Sequence, residues 1–265
     1  MRIYIKVIML LAFLSLSSAA QTYKRIQINV GAGIRPPFLL EDNAKGVGPD
    51  IIHALNLIQE QFVFQLVAVP IKRRTQSLYE GWVDIIMWDN PNWGWELESL
   101  QHSQPLIHSK DVFITHADQY QSQDVFNQLK SHSLAMVHGY HYKFVNFETD
   151  PIKLNQSFDI TLVRTEEDSI NILLSGRVDI AVASDVALAW HFKKHPQSKN
   201  KILISEKYDT KYMRYFLVPA SSPISAKELD ELLILADEKG LLTPIYEKYG
   251  LVKPTFKRQS PLISH

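Results

Sequence analysis

Along this chain, short apolar runs alternate with longer stretches in which apolar residues recur every three to four positions. Residues 26–30 alternate apolar and polar side chains and predict a first strand. Two glycines and two prolines between Gly31 and Phe38 then predict a shaped loop. Ile51, Ala54, Leu55, Ile58 and Phe62 have helical spacing, with Pro49 near the first turn, where proline is tolerated. Residues 64–69 predict a second strand, 75–80 a short helix, 84–87 a third strand, and 110–115 a strand crossing into a second unit. In that unit, strands are predicted at 133–137, 160–163 and 179–183, with helices at 166–174 and 186–195. Residues 215–218 cross back. A helix over 226–239 follows, with Leu229, Leu232, Leu233 and Ala236 on one side, Gly240 as its cap and a short helix around Tyr246. Strands alternating with helices give the α/β class.

One device occurs twice. Gly81-Trp82-Val83-Asp84-Ile85-Ile86-Met87 and Gly176-Arg177-Val178-Asp179-Ile180-Ala181-Val182 lie about 95 residues apart, each after a leucine-bearing helical stretch. Glycine suits the left-handed position that ends a helix. The apolar run after it suits a parallel strand covered on both faces. Two similar α/β units predict two lobes with a cleft between them, where small ligands bind. The matching positions of Asp84 and Asp179 at the strand entries favour a structural role over a catalytic pair.

The N-terminus reads differently. Arg2 and Lys6 precede an apolar run of about ten residues, followed by Ser18-Ala19-Ala20. This is the three-part design of a signal peptide, with cleavage before Gln21 and a periplasmic destination. The run falls short of the roughly 20 apolar residues that span a bilayer. The chain contains no cysteine, which excludes disulfides, thiolate zinc sites and lipid anchoring through a cysteine. Formal net charge is zero, so nothing points to nucleic acid or an anionic membrane as partner. No nucleophile elbow, phosphate loop or zinc-protease helix is present, and the prolines after Gly31-Ala32-Gly33 forbid the helix that a dinucleotide fingerprint needs. No cofactor is expected. His138 and His141 are metal ligands by type, but no third ligand is fixed by spacing.

Pro36-Pro37-Phe38, Gly46-Val47-Gly48-Pro49-Asp50, the Gly81 to Asp84 entry, Ser103-Gln104-Pro105-Leu106, Gly176-Arg177-Val178-Asp179 and the closing run from Gly240 to Gly250 occur in a suggestive order. In these motifs the chain resembles the family 3 solute-binding proteins, which have the type II periplasmic binding fold. The resemblance implies two lobes, each a mixed, mostly parallel sheet flanked by helices. Residues 21–116 and 217–252 would form the first and 117–216 the second, ahead of a loose polar tail over 253–265. It implies capture of a small polar ligand by hinge closure, and delivery to a transporter permease or a membrane sensor.

Amino-acid binders of that family carry an arginine after the third strand to clamp the ligand carboxylate. Glu96 stands there in an ungapped alignment. Ser184, followed by Asp185, occupies the place of the aspartate that meets the ligand amine. Trp88, Asp89, Trp93, Trp95 and Glu96 form an aromatic and acidic cluster suited to an amine. Arg35, cleft-facing by the resemblance, and the Lys72-Arg73-Arg74 run would instead favour an anion. Phe38 is a candidate first-lobe wall, and Tyr140 and His141 come from a second-lobe loop that meets ligand in similar proteins. The resemblance also leaves open an enzyme on the same scaffold, of the cyclohexadienyl dehydratase type, with Glu96, Asp185 or His141 as acid or base. An interaction protein with a closed cleft is the third alternative.

Overall fold

The computed structural model describes residues 24–42, 44–95 and 99–258. The expected signal segment, Glu96 and residues 259–265 lie outside the described residues. The strands are β1 (Ile26–Ala32), β2 (Phe62–Ala68), β3 (Ile85–Asp89), β4 (Gln101–His102), β5 (Ile107–His116), β6 (Ser133–Val137), β7 (Asp159–Val163), β8 (Ile180–Ser184) and β9 (Ile202–Val218). The helices are α1 (Val47–Leu57), α2 (Arg74–Tyr79), α3 (Pro151–Ser157), α4 (Glu166–Leu174), α5 (Asp185–Lys194), α6 (Ala226–Glu238) and α7 (Leu242–Lys248). No described helix is long and apolar enough to cross a membrane.

The strands run in the order β2-β1-β3-β9-β5-β8-β6-β7, with β4 also paired to β9. β1 is parallel to β2 and β3, and β6 is parallel to β7 and β8. Between these parallel halves lie β5 and β9, antiparallel to each other and to their outer neighbours. Each half has apolar clusters of its own. Ile28, Leu55, Phe216, Leu233 and Tyr246 belong to one; Ile114, Leu173 and Ala181, and separately Met136, Tyr142 and Val182, belong to the other half. Burying each such side chain contributes about 1.5–3 kcal/mol, so each half has an independent reason to hold its shape. β5, β9 and a few packed helices join them.

The repeated device is present in both halves. Gly81 and Gly176 take φ of 72° and 71°, the left-handed region. Each turn is closed by bonds back to the preceding helix: Trp82 N–H donates to Ser77 O (2.9 Å) and Arg177 N–H to Ile172 O (3.2 Å). The aspartates then tie each strand entry to its parallel neighbour. Asp84 Oδ2 accepts from Asn29 N–H at 2.7 Å, and Asp179 Oδ2 accepts from Ser133 N–H at 2.9 Å. The reciprocal backbone bonds run from Asp84 N–H to Asn29 O (2.8 Å) and from Asp179 N–H to Ser133 O (3.1 Å).

Two features differ from the sequence reading. Both joining strands are longer than predicted: β5 begins at Ile107 and β9 is a continuous 17-residue strand. The tail is also anchored where it is described. Phe256 is buried, Lys253 Nζ pairs with Asp237 at 2.8 Å, and Lys257 exchanges two 2.8 Å hydrogen bonds with the Gln104 side chain.

Candidate functional site

A cavity of about 500 Å³ opens where the two halves of the sheet face each other. Its wall draws on the loop after β1 (Arg35), the start of α2 (Arg74), the segment after β3 (Asn90 to Gly94), β5 (Asp111), the loop after β6 (Tyr140, His141) and β9 (Thr210 to Tyr215). A hollow of about 30 Å³ lies beside it, lined by Arg35, Phe38, Trp88 and Asp89 among others.

Three arginines converge on this space, each positioned by a different local device. Arg35 sits in a tight antiparallel bridge with Leu39, across the cis Pro36–Pro37 bond. Its guanidinium carbon lies 4.8 Å from the Tyr140 ring centroid, and its buried Nε has no hydrogen-bond partner. Burial opposes its charge, but the Tyr140 hydroxyl, Glu166, Tyr212 and Asp89 outweigh that penalty and hold its pKa above the ordinary arginine value. Arg74 pairs with Asp89 (Nε to Oδ2, 3.1 Å) and donates to Trp93 O. Arg214, 3% exposed, donates to Trp88 O at 3.2 Å and to the Tyr212 hydroxyl at 3.4 Å.

Two of the tryptophans already hold a cation from the protein itself. Arg214 lies over Trp93 (4.7 Å) and Tyr212 (4.9 Å), and Arg74 lies over Trp95 (5.3 Å). One face of each ring is thus engaged by the protein's own guanidinium groups. Trp88 is buried in a left-handed backbone position (φ 68°) where β3 shifts register against β9, and it stacks on Phe38 at 4.5 Å. Gly48 makes room for that stack: a Cβ there would come within 3.0 Å of Trp88 Nε1 and of Phe38 O.

Asp111 is the acidic group of the wall. It is 6% exposed and accepts from the Tyr212 hydroxyl at 2.8 Å. Burial and the negative charge of Glu166 push its pKa up to about 7, against the downward pull of Tyr212 and Arg214. Burial likewise raises the Tyr140, Tyr142 and Tyr212 phenols, which therefore stay neutral. Arg35, Arg74, Arg214 and Lys211 thus face a carboxyl balanced between its two charge states and an Asp89 already paired.

Among the sequence candidates, Arg35, Trp93, Tyr140 and His141 line the large cavity, while Phe38, Trp88 and Asp89 line the small hollow behind it. Ser184 and Asp185 line neither, and hydrogen bonds within the protein engage part of each. Ser184 Oγ caps α5 by accepting from Ala187 N–H, and its own N–H donates to Glu166. Asp185 Oδ1 accepts from Ser109 Oγ (2.9 Å) and Lys110 N–H (3.1 Å), tying α5 to β5. Arg214, Asp111, Tyr212 and Asn90 were not singled out by the sequence. They lie on or beside the long joining strands, and a lone charged residue in a strand carries no motif. Among the described residues, no metal-ligating cluster forms at this cavity.

No family model matches the chain, and no curated protein matches it. Solved structures do. The GluR0 ligand-binding core from Nostoc punctiforme in complex with L-glutamate is 16% identical over 84% of this chain and 98% of its own, with a TM-score of 0.64. An amino acid ABC transporter's substrate-binding protein is 17% identical over 84% of this chain and 98% of its own, with a TM-score of 0.62. The ancestral amino acid-binding protein AncCDT-1, a precursor of cyclohexadienyl dehydratase, is 16% identical over 84% and 95%, with a TM-score of 0.63. With its own sheet order, paired joining strands and central cavity, the chain has the two-lobed periplasmic binding protein fold.

Proposed function

We propose that this chain is an exported, non-catalytic solute-binding protein that closes on a small carboxylate-bearing solute, an amino acid or a related acid. The observation that carries the reading is the convergence of Arg35, Arg74 and Arg214 on a cavity shared by both halves. Guanidinium forks match carboxylate geometry, and Arg214 and Arg74 already engage one face each of Trp93 and Trp95. Asp111 and Tyr212 offer acceptors for an amine if the solute is an α-amino acid. A solute bridging the halves stabilises the closed form by its differential affinity for it, and a permease or membrane sensor reads that form. The proposed lobes are those expected from the sequence, with 117–216 as the second, and the proposed flexure lies in the joining strands β5 and β9.

A thermal-shift screen with amino acids, dicarboxylates and polyamines tests this. A true ligand at 100 times its Kd adds about 2.7 kcal/mol, or roughly 5–10 °C for a chain of this size. Carboxylates should raise the melting temperature and polyamines should not; the reverse result would sink the proposal. One observation favours a second reading: a buried carboxyl with a pKa of about 7 is suited to general-acid chemistry. Turnover of a cyclohexadienyl substrate would establish that reading, whereas a binder gives stoichiometric heat without product.

A further inference from the structure

Away from the cavity, α4 and α5 bring together three metal-ligating side chains. His191 lies in the last turn of α5 and His195 is the residue that ends the helix, with their ring centres 4.9 Å apart. Glu167, in the first turn of α4, stands opposite. Glu167 Oε1 lies 3.1 Å from His191 Nδ1 and 4.0 Å from His195 Nε2. One ligand atom from each of the three falls within 4.8 Å of the others. Tetrahedral coordination with bonds near 2.0–2.2 Å places ligand atoms roughly 3.3 Å apart. The trio is thus within side-chain adjustment of coordinating distance.

We propose that Glu167, His191 and His195 form a binding site for a borderline divalent ion of the zinc type, with its fourth position open to solvent. The ligand set is two imidazoles and one carboxylate, which suits zinc over magnesium or calcium, whose preferred partners are all oxygen. His191 is buried and fixed, His195 has a half-exposed side chain, and Glu167 lies between them, so an ion enters from the His195 side. His191 Nε2 is buried without a partner, so an ion on Nδ1 would leave an unbonded N–H. That omission limits affinity without blocking coordination.

The position of α5 gives the site a mechanical meaning. Trp190 packs on Tyr249 at 5.6 Å, and Lys193 Nζ donates to Glu247 O at 3.2 Å, so the helix bridges to α7 in the other half. A bound ion would pin α4 to that bridging helix.

Isothermal titration of the untagged protein with zinc chloride, in a non-chelating buffer at neutral pH, tests the site. One zinc per chain is expected, with no saturable heat from magnesium. His195→Ala and Glu167→Gln sit at partly exposed positions and should fold, which a melting curve checks. Each should weaken zinc binding by at least the roughly 10–100-fold that loss of an outer-shell partner costs. No saturable zinc binding, or binding unchanged in both variants, would overturn the proposal. Solute binding without zinc is unaffected in either case, so this outcome is separable from the fate of the solute-binding reading.

Discussion

The Arg35 guanidinium lies 4.8 Å from the centre of the Tyr140 ring, and the two residues come from opposite halves of the molecule. Arg35 follows β1 and Tyr140 follows β6, so under the proposed hinge closure this contact would form as the cleft shuts. Such a contact is worth about 0.5–2 kcal/mol. Tyr140→Ala should therefore weaken solute binding about 2–30-fold, and loss of its packing against the second-half cluster should also lower the melting temperature of the unliganded protein. Tyr140→Phe keeps the ring face and should bind nearly as the parent does. Titration calorimetry of the two variants side by side checks this.

Arg214→Lys should be far from conservative. The guanidinium contacts Trp88 O, the Tyr212 hydroxyl and the faces of Trp93 and Tyr212. A lysine ammonium cannot stack flat or reach both acceptors. Leaving buried polar groups without partners costs about 1–3 kcal/mol, with a loss of solute affinity of at least tenfold. Chemical denaturation and titration on the same preparation measure both; parental affinity would count against Arg214 as a solute contact.

Asp111 makes stability depend on pH in a defined direction. Burial and Glu166 push its folded pKa up to about 7, from an ordinary aspartate value near 3.8. Between those limits the folded chain holds more proton than the unfolded one, so this group's contribution to stability falls as pH rises from about 4 to about 7 and then levels. The total is on the order of a few kcal/mol. Asp111→Asn keeps an acceptor for Tyr212 without the charge. The variant's stability relative to the parent should climb across that window, as melting temperatures measured from pH 4 to 8 would record. A constant difference would show that Asp111 does not titrate there.

Asp84→Ala and Asp179→Ala should each destabilise by about 1–3 kcal/mol, because each strips the partner from a strand-entry N–H. The two sites share no partner, so their effects should add in the double variant within about 0.5 kcal/mol. Asp179 is held below the usual aspartate range because the bonds from Ser133 and Tyr120 and the nearby His132 outweigh the effect of burial. Its contribution is therefore complete above about pH 4 and fades as the pH falls further. Denaturant midpoints of the single and double variants check additivity.

The repeated glycine-to-aspartate entries were legible because backbone demands wrote them: a left-handed helix end, then an apolar parallel strand. The helix over Ala226–Glu238 was legible from its one-sided leucines and its cap. β9 was visible only at its last few residues. Lys207, Asp209, Lys211 and Arg214 interrupt it, and such charges read as loop when nothing reveals the cavity that Lys211 and Arg214 line. The site split along the same line. Arg35, Tyr140 and His141 sit in loops marked by proline, glycine and aromatics, whereas Arg214 and Asp111 sit in strands that share no local signature. Ser184 and Asp185 stood at an informative position; the Ser184 hydroxyl caps α5, its N–H donates to Glu166, and one Asp185 oxygen binds β5. The Arg74 ion pair with Asp89 spans two segments and is invisible to any single one.

β9 contributes Thr210 to Tyr215 to the cavity wall and also pairs with β5 in the ribbon that joins the halves. Under the proposed closure, the segment that senses cargo would therefore also be the spring. Any substitution there alters grip and stiffness together. Tuning the two separately would require changes on the rigid rim, at Tyr140 or His141, where a side chain meets the solute without sharing its backbone with the flexure.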